Sequence, residues 1–148
     1  MSGIQGILSD RREFLSRLKF EDANANICNF SRPYSENWAN IFFETFTARK
    51  PIRTLVVTNH NDTTKSMFGK FCGFFTHLPG PVRAANPFRI NRNEKTLISE
   101  RTGALIDHMT ARGSAHGRGW TYQRLVAEEL AFWPHPAEVW SGLKSTIH

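Results

Sequence analysis

The chain has 148 residues, of which 40% are hydrophobic, 12% aromatic and 22% charged, with a formal net charge of +6. That composition supports one ordinary packed core and excludes a disordered or fibrous chain. No apolar run approaches the roughly 20 residues of a membrane helix, and no basic segment precedes an apolar stretch at the N-terminus, so no membrane partner and a cytosolic location are expected.

In chain order, Arg11 to Phe20 places Phe14, Leu15 and Leu18 at helical spacing behind Ser9 and Asp10, which predicts a first short helix. Ser35 to Phe46 sets Trp38, Ile41, Phe42 and Phe46 on one stripe, with Ser35 as the cap and Lys50-Pro51 as the stop. Thr54 to Thr58 is a short β-branched, apolar run, the pattern of a strand buried on both faces. The polar loop Asn59 to Thr63 then opens a helix with a broad apolar face, from Met67 to Leu78, ended by Pro79-Gly80-Pro81. Residues 80 to 93 read as a surface connector. Thr96 to Glu100 and Ala104 to His108 flank Arg101-Thr102-Gly103, the composition of a hairpin turn. A Gly-punctuated, acid-free loop from Thr110 to Gly119 leads to a second buried strand over Thr121 to Ala127. Pro136 then starts a last short helix through Trp140 and Leu143. Alternating elements of this kind predict a single α/β domain, layered, with a mostly parallel central sheet plus a β-hairpin.

The charge is concentrated in the middle: residues 63 to 127 carry 10 Lys and Arg against 3 Asp and Glu. Lys65, Lys70, Arg83, Arg89, Arg92 and Arg112 are candidates for contacts to DNA phosphates, and a solvated basic face is the alternative. Cys28 and Cys72 have no metal-ligand spacing and read as reduced thiols. The six histidines do not cluster as ligands, and Trp133 and Trp140 read as core.

The feature with most chemical content is Leu125-Val126-Ala127-Glu128-Glu129, an apolar strand that delivers two adjacent carboxylates at its C-terminal end. In a parallel sheet that end faces the ligand crevice. There one acid can hold Mg²⁺ while the next orients an attacking water, the Walker B arrangement; a surface Glu pair that opens a helix is the plainer alternative. The phosphate cradle that should accompany it is less regular. Asn59 to Ser66 follows a strand and ends in Lys65-Ser66 but has no glycine, and Ser31 to Trp38 lacks both glycine and lysine.

Taken in order, these stretches resemble the N-terminal ATPase part of the large terminase subunit, the DNA-packaging motor of tailed bacteriophages. Arg49 to His60 resembles the family's second strand, Phe74 to Pro79 its "FYENLP"-like helix end, and Asn91 to Leu97 its "NRKEL" segment. Gly117-Arg118-Gly119 followed by Arg124 to Trp133 is similar to its Gly-Arg-Gly loop and Walker B strand. The resemblance implies an incomplete P-loop NTPase-like core over residues 1–148, with Mg²⁺ and ATP as cofactors. It gives Glu129 the role of catalytic glutamate, Glu128 that of metal-side acid and Arg118 that of charge-stabilising arginine. Of the family's R-Q-x-G-x-S/T Walker A pattern only Arg32 and Ser35 remain, as nucleotide-binding positions. The stretch reaches neither the coupling motif nor the nuclease domain.

Two functions are therefore expected to compete. The first is a viral DNA-packaging ATPase-like domain in the bacterial host cytosol, with hydrolysis weak or lost, in contact with DNA and able to form an oligomer. The second is a non-catalytic interaction protein derived from a terminase fragment, which binds DNA or inhibits a host or phage nucleic-acid complex.

Overall fold

The computed structural model describes residues 19–21, 27–29, 33–111 and 121–147, with side chains from Trp38 onward. The elements are β1 (Lys19–Glu21), β2 (Ile27–Asn29), α1 (Pro33–Phe46), β3 (Arg53–Thr58), α2 (Asn61–Thr76) and α3 (Gly80–Ala85). After them come β4 (Phe88–Asn91), β5 (Thr96–Ser99), β6 (Leu105–Thr110), β7 (Arg124–Ala127), a 3-10 turn (Leu130–Phe132) and α4 (Pro136–Lys144). β1 and β2 pair antiparallel as a separate ribbon, and the other five strands form one open sheet in the order β4-β5-β6-β3-β7.

β3 is the sheet's pivot. It runs parallel to β6, with Thr58 opposite Thr110, and parallel to β7, with Val57 opposite Ala127. β4, β5 and β6 are joined antiparallel. The sheet is thus mixed rather than mostly parallel, because the short connections after β4 and β5 permit hairpins and not crossovers. The hairpin turn expected at Arg101-Thr102-Gly103 is present, with Gly103 at φ +73° and its N–H donating to the Ser99 carbonyl. Glycine takes that left-handed backbone without steric cost.

Alternation along the strands sends side chains to two layers. Val56, Ile106, Val126 and Leu97 pack beneath α1, α2 and α3, while Leu55, Val57, Leu105 and Leu125 pack against Trp133, which follows the 3-10 turn, and against α4. The first layer is strongly aromatic. Phe42 on α1 lies 5.7 Å from Phe46, 5.6 Å from Phe74 and 6.3 Å from Phe88, centroid to centroid, which joins α1, α2 and β4 in one cluster.

That cluster explains why residues 80 to 93 are not a surface connector. Val82, Asn86 and Phe88 are buried. The Asn86 amide donates to the Phe46 carbonyl at 2.5 Å and its oxygen accepts from Ser99 Oγ at 2.9 Å, which fastens the end of α1 to β5. Proline and asparagine in this stretch shape α3 and β4 rather than a loop.

Other expectations shift at the edges of elements. The helix expected over Arg11 to Phe20 falls largely outside the described residues, and its end, Lys19 and Phe20, lies in β1. α1 begins at Pro33, so Ser35 is in its first turn and is not its cap. β7 is the last strand of the sheet among the described residues and is half-buried throughout, not fully buried. The topology does not establish a P-loop NTPase-like core: Ile27–Asn29, the strand ahead of Arg32 and Ser35, pairs with its chain neighbour β1 and not with the five-stranded sheet. Among the described residues no helix is long and apolar enough to cross a membrane.

Truncating Phe42 to Ala is expected to cost about 3–5 kcal/mol in urea unfolding, the range for a buried aromatic ring. Phe132→Ala, at a side chain 73% exposed, should change stability by less than about 0.5 kcal/mol.

Candidate functional site

Because β3, β6 and β7 are parallel, their C-terminal ends open on one edge of the sheet, the edge at which α/β folds hold ligands. Thr58, Asn59 and His60 leave β3 there, Thr110 and Ala111 leave β6, and Glu128 and Glu129 leave β7. The register of Val57 with Ala127 sets Glu128 level with Thr58. The Glu128 N–H donates to the Val57 carbonyl at 2.8 Å and so extends the ladder by one residue.

The chain then turns sharply. Glu129 sits in the left-handed region at φ +51° and ψ +42°, a conformation that costs a non-glycine residue about 1–2 kcal/mol. The turn is held from below: the Trp133 indole N–H donates to the Glu128 carbonyl at 2.8 Å, and the Phe132 N–H donates to the Glu129 carbonyl at 2.8 Å. Trp133 itself is buried in the layer with α4, so a packed side chain maintains the strained backbone. Glu129 is exposed and Glu128 half-buried.

Above the same edge, three hydroxyls meet. Thr64 Oγ1 lies 2.5 Å from Thr58 Oγ1 and 2.7 Å from Thr110 Oγ1, and it donates to the His60 carbonyl at 3.0 Å. Thr58 Oγ1 also donates to the His60 carbonyl, at 3.2 Å, so the three hydroxyls and that carbonyl form one hydrogen-bonded group. This cluster fixes the turn from β3 into α2. Asn59 Oδ1 is buried nearby with no hydrogen-bond partner among the described residues, an acceptor left to water or to a ligand donor.

The chemistry of these groups can be tested against Mg²⁺ and a nucleotide. Mg²⁺ is held by one or two carboxylates, with water and phosphate oxygens in its remaining positions, and Glu128 is a carboxylate of that kind. Among the described residues, no group of three or more His, Cys, Asp or Glu is placed to hold a metal by itself. The segment Asn59 to Ser66 does not fit a phosphate cradle. Asp62 occupies the first turn of α2 and Lys65 reaches back to it at 3.8 Å, both largely exposed, so the helix N-terminus already faces a carboxylate.

The remaining expected site residues are scattered. Lys65 and Lys70 are on α2, Arg83 on α3, Arg89 on β4 and Arg92 in the turn that follows it; all are exposed except the half-buried Lys70. β4 is the edge of the sheet opposite β7, so this set does not converge on Glu128 and Glu129. Arg32, Arg112 and Arg118 lie outside the described residues, and so does the side chain of Ser35. Of the two tryptophans, Trp133 is core as expected, whereas Trp140 is 39% exposed. Cys72 is buried, and burial pushes its thiol up to about 11 against a smaller downward pull from Arg92, which makes it a poor nucleophile.

Two buried groups escaped sequence reasoning. One is the threonine cluster, whose only sequence signal is a hydroxyl residue at the last position of each of two paired strands. The other is Asp107, fully enclosed on β6, which accepts from Tyr122 OH at 2.6 Å, Thr96 Oγ1 at 3.0 Å and the His108 N–H at 2.9 Å. It ties the entry to β7 onto the hairpin. Arg124 likewise pairs with Glu44 and so links β7 to α1.

Compared with protein-family models and with curated proteins, the chain matches none.

Glycine adopts the Glu129 backbone without strain, at some cost in unfolded-chain entropy. Glu129→Gly is therefore expected to stabilise the fold by about 0.5–1 kcal/mol, read from the urea midpoint. An unchanged or lower midpoint would show that Glu129 is not held under strain.

Proposed function

We propose that this chain is an ATPase-like domain of the bacteriophage DNA-packaging terminase type, with hydrolysis weak or lost. The observation that carries the reading is the parallel placement of β7 beside β3, which puts Glu128 and a strained Glu129 at the C-terminal strand edge. Backbone strain at an exposed acid is a feature that clusters at functional sites. Glu128 is the residue to hold Mg²⁺, which would offset phosphate charge when bound with the nucleotide. Glu129, one residue further and exposed, is the group to orient a water and take its proton.

Low activity follows from the geometry at the start of α2. Positioning of the phosphates supplies most of the catalysis in this chemistry, and the first turn of α2 presents Asp62 in place of a cradle. The basic residues of α2, α3 and β4 are the proposed contacts to DNA backbone, without sequence preference.

A second reading, a non-catalytic interaction protein, is favoured by one observation. The turn beside Glu129 exposes Leu130 and Phe132 to 44% and 73%, with Trp140 close in sequence on α4. Large apolar side chains grouped at a surface mark interaction sites.

Phosphate release by the purified chain with Mg²⁺ is expected to be well below the roughly 1 s⁻¹ at the lower end of ordinary enzymes, and to fall at least about tenfold in Glu129→Gln. Measurable release that is equal in the two proteins, or no release together with no binding of a non-hydrolysable ATP analogue at millimolar concentration, would remove the ATPase-like reading. Duplex DNA should bind with a log–log salt slope of about −4 to −5, flattened by one or two units in the Lys65→Glu, Lys70→Glu double variant. A slope insensitive to those reversals would remove the DNA contact from this surface.

A further inference from the structure

Strand β7 stands at the end of the sheet order, with β3 as its one strand neighbour among the described residues. An edge strand presents a row of backbone N–H and C=O groups that can pair with another extended segment, and proteins usually blunt such edges with proline, lysine or a bulge. Leu125, Val126 and Ala127 carry none of these. Past its first residue, Arg124, which pairs with Glu44 of α1, β7 is apolar on both faces: Val126 packs into the layer of α1 and α2, Leu125 and Ala127 into the layer of α4. That pattern belongs to the inside of a parallel sheet, yet all four residues of the strand are only half-buried.

Exposed apolar side chains follow β7 in the chain. Leu130, Phe132 and Trp140 are the exposed large apolar residues of the described chain, and all three follow β7 within the turn and α4. Just ahead of β7, Tyr122 already makes a parallel bridge with Ile147, and its N–H donates to the Thr146 carbonyl at 2.7 Å. The path from β7 through α4 thus returns as one rung of parallel pairing, and among the described residues no such pairing continues beside Arg124–Ala127.

Charge narrows the occupant. From Leu125 to Leu143 the chain has Glu128, Glu129 and Glu138 and no Lys or Arg, within a chain of net charge +6. Nucleic acid is disfavoured beside these carboxylates, and a second copy would bring the same acidic edge and a further positive excess elsewhere. We propose that the edge of β7 away from β3, unpaired over Arg124–Ala127 among the described residues, is a docking slot for an extended segment of a different polypeptide. That segment adds as a further parallel strand, is apolar on both faces, and carries Lys or Arg at its C-terminal end, where it passes Glu129.

This surface develops the second reading above and requires no nucleotide, so its failure and the failure of the ATPase-like reading are separate results. The probe is a fluorescein-labelled peptide of about six Val, Ile and Thr residues closed by two lysines, titrated by anisotropy against the full chain, with amide exchange read by mass spectrometry. Saturable binding in the micromolar range is expected, with exchange over Arg124–Ala127 slowed about tenfold or more. A peptide ending in two glutamates should bind at least about fivefold more weakly, that preference should shrink in Glu129→Lys, and a peptide N-methylated at alternate amides should not bind. The proposal is overturned by no binding at about 1 mM peptide, or by binding that leaves Arg124–Ala127 unprotected. Amides of Arg124–Ala127 that exchange as slowly as those of β3 in the chain alone would assign the edge to the chain's own residues, and protection that appears only with dimer formation would assign it to a second copy; either result overturns it as well.

Discussion

The pairing of β3 with β6 on one side and with β7 on the other is the constraint on which the rest of the molecule depends. Leu55, Val56 and Val57 are fully enclosed, so the backbone groups between them have no access to water and must be paired along both edges. Once both neighbours are parallel, their C-terminal ends share one rim. Thr58, Thr110 and Glu128 then become neighbours in the fold although they are far apart in the chain. The same pleat sends Val56 to the aromatic layer and Leu55 and Val57 to the layer of α4, which is why each face of the sheet requires its own helical cover.

The two covers differ in character. α1 and α2 bring phenylalanine rings that interlock with Phe88, and Asn86 fixes this block to β5 through two hydrogen bonds to buried partners. The opposite cover is thinner and depends on Trp133, which packs under the sheet and at the same time holds the turn that follows β7. Each layer therefore fixes one half of the functional rim: Thr64, from the aromatic side, fixes the exit of β3, and Trp133, from the other side, fixes the exit of β7. Packing and site geometry are the same interactions here.

How much of this is legible in the sequence follows from the range of the interactions involved. β3, α2, the β5–β6 hairpin and α4 have local signals, namely periodicity, a glycine in the turn and a proline in the first helical turn, and each is found where those signals lie. β4 has no such signal. Its four residues, Phe-Arg-Ile-Asn, alternate too briefly to stand out among the surrounding prolines, asparagines and charges, and what makes it a strand is Phe88, which inserts among rings from two helices distant in sequence. The carboxylate pair at the end of β7 was visible from its spacing, whereas the left-handed backbone at Glu129 was not, because the strain is imposed by an indole that reaches back from Trp133. Asp107 carries only a strand signal in the sequence; its three donors come from β5, from its own neighbour and from Tyr122, and none of those pairings has a sequence period.

The functional claim rests on whether that rim receives a nucleotide. The most direct measurement is the amide spectrum of the isotopically labelled chain, recorded with Mg²⁺ and a non-hydrolysable ATP analogue. Shifts concentrated at Thr58, Asn59, Glu128 and Glu129 are the expected result, with the Arg101–Gly103 turn at the opposite end of the strands unmoved. No shift at millimolar nucleotide, or shifts centred on that opposite turn, would contradict it.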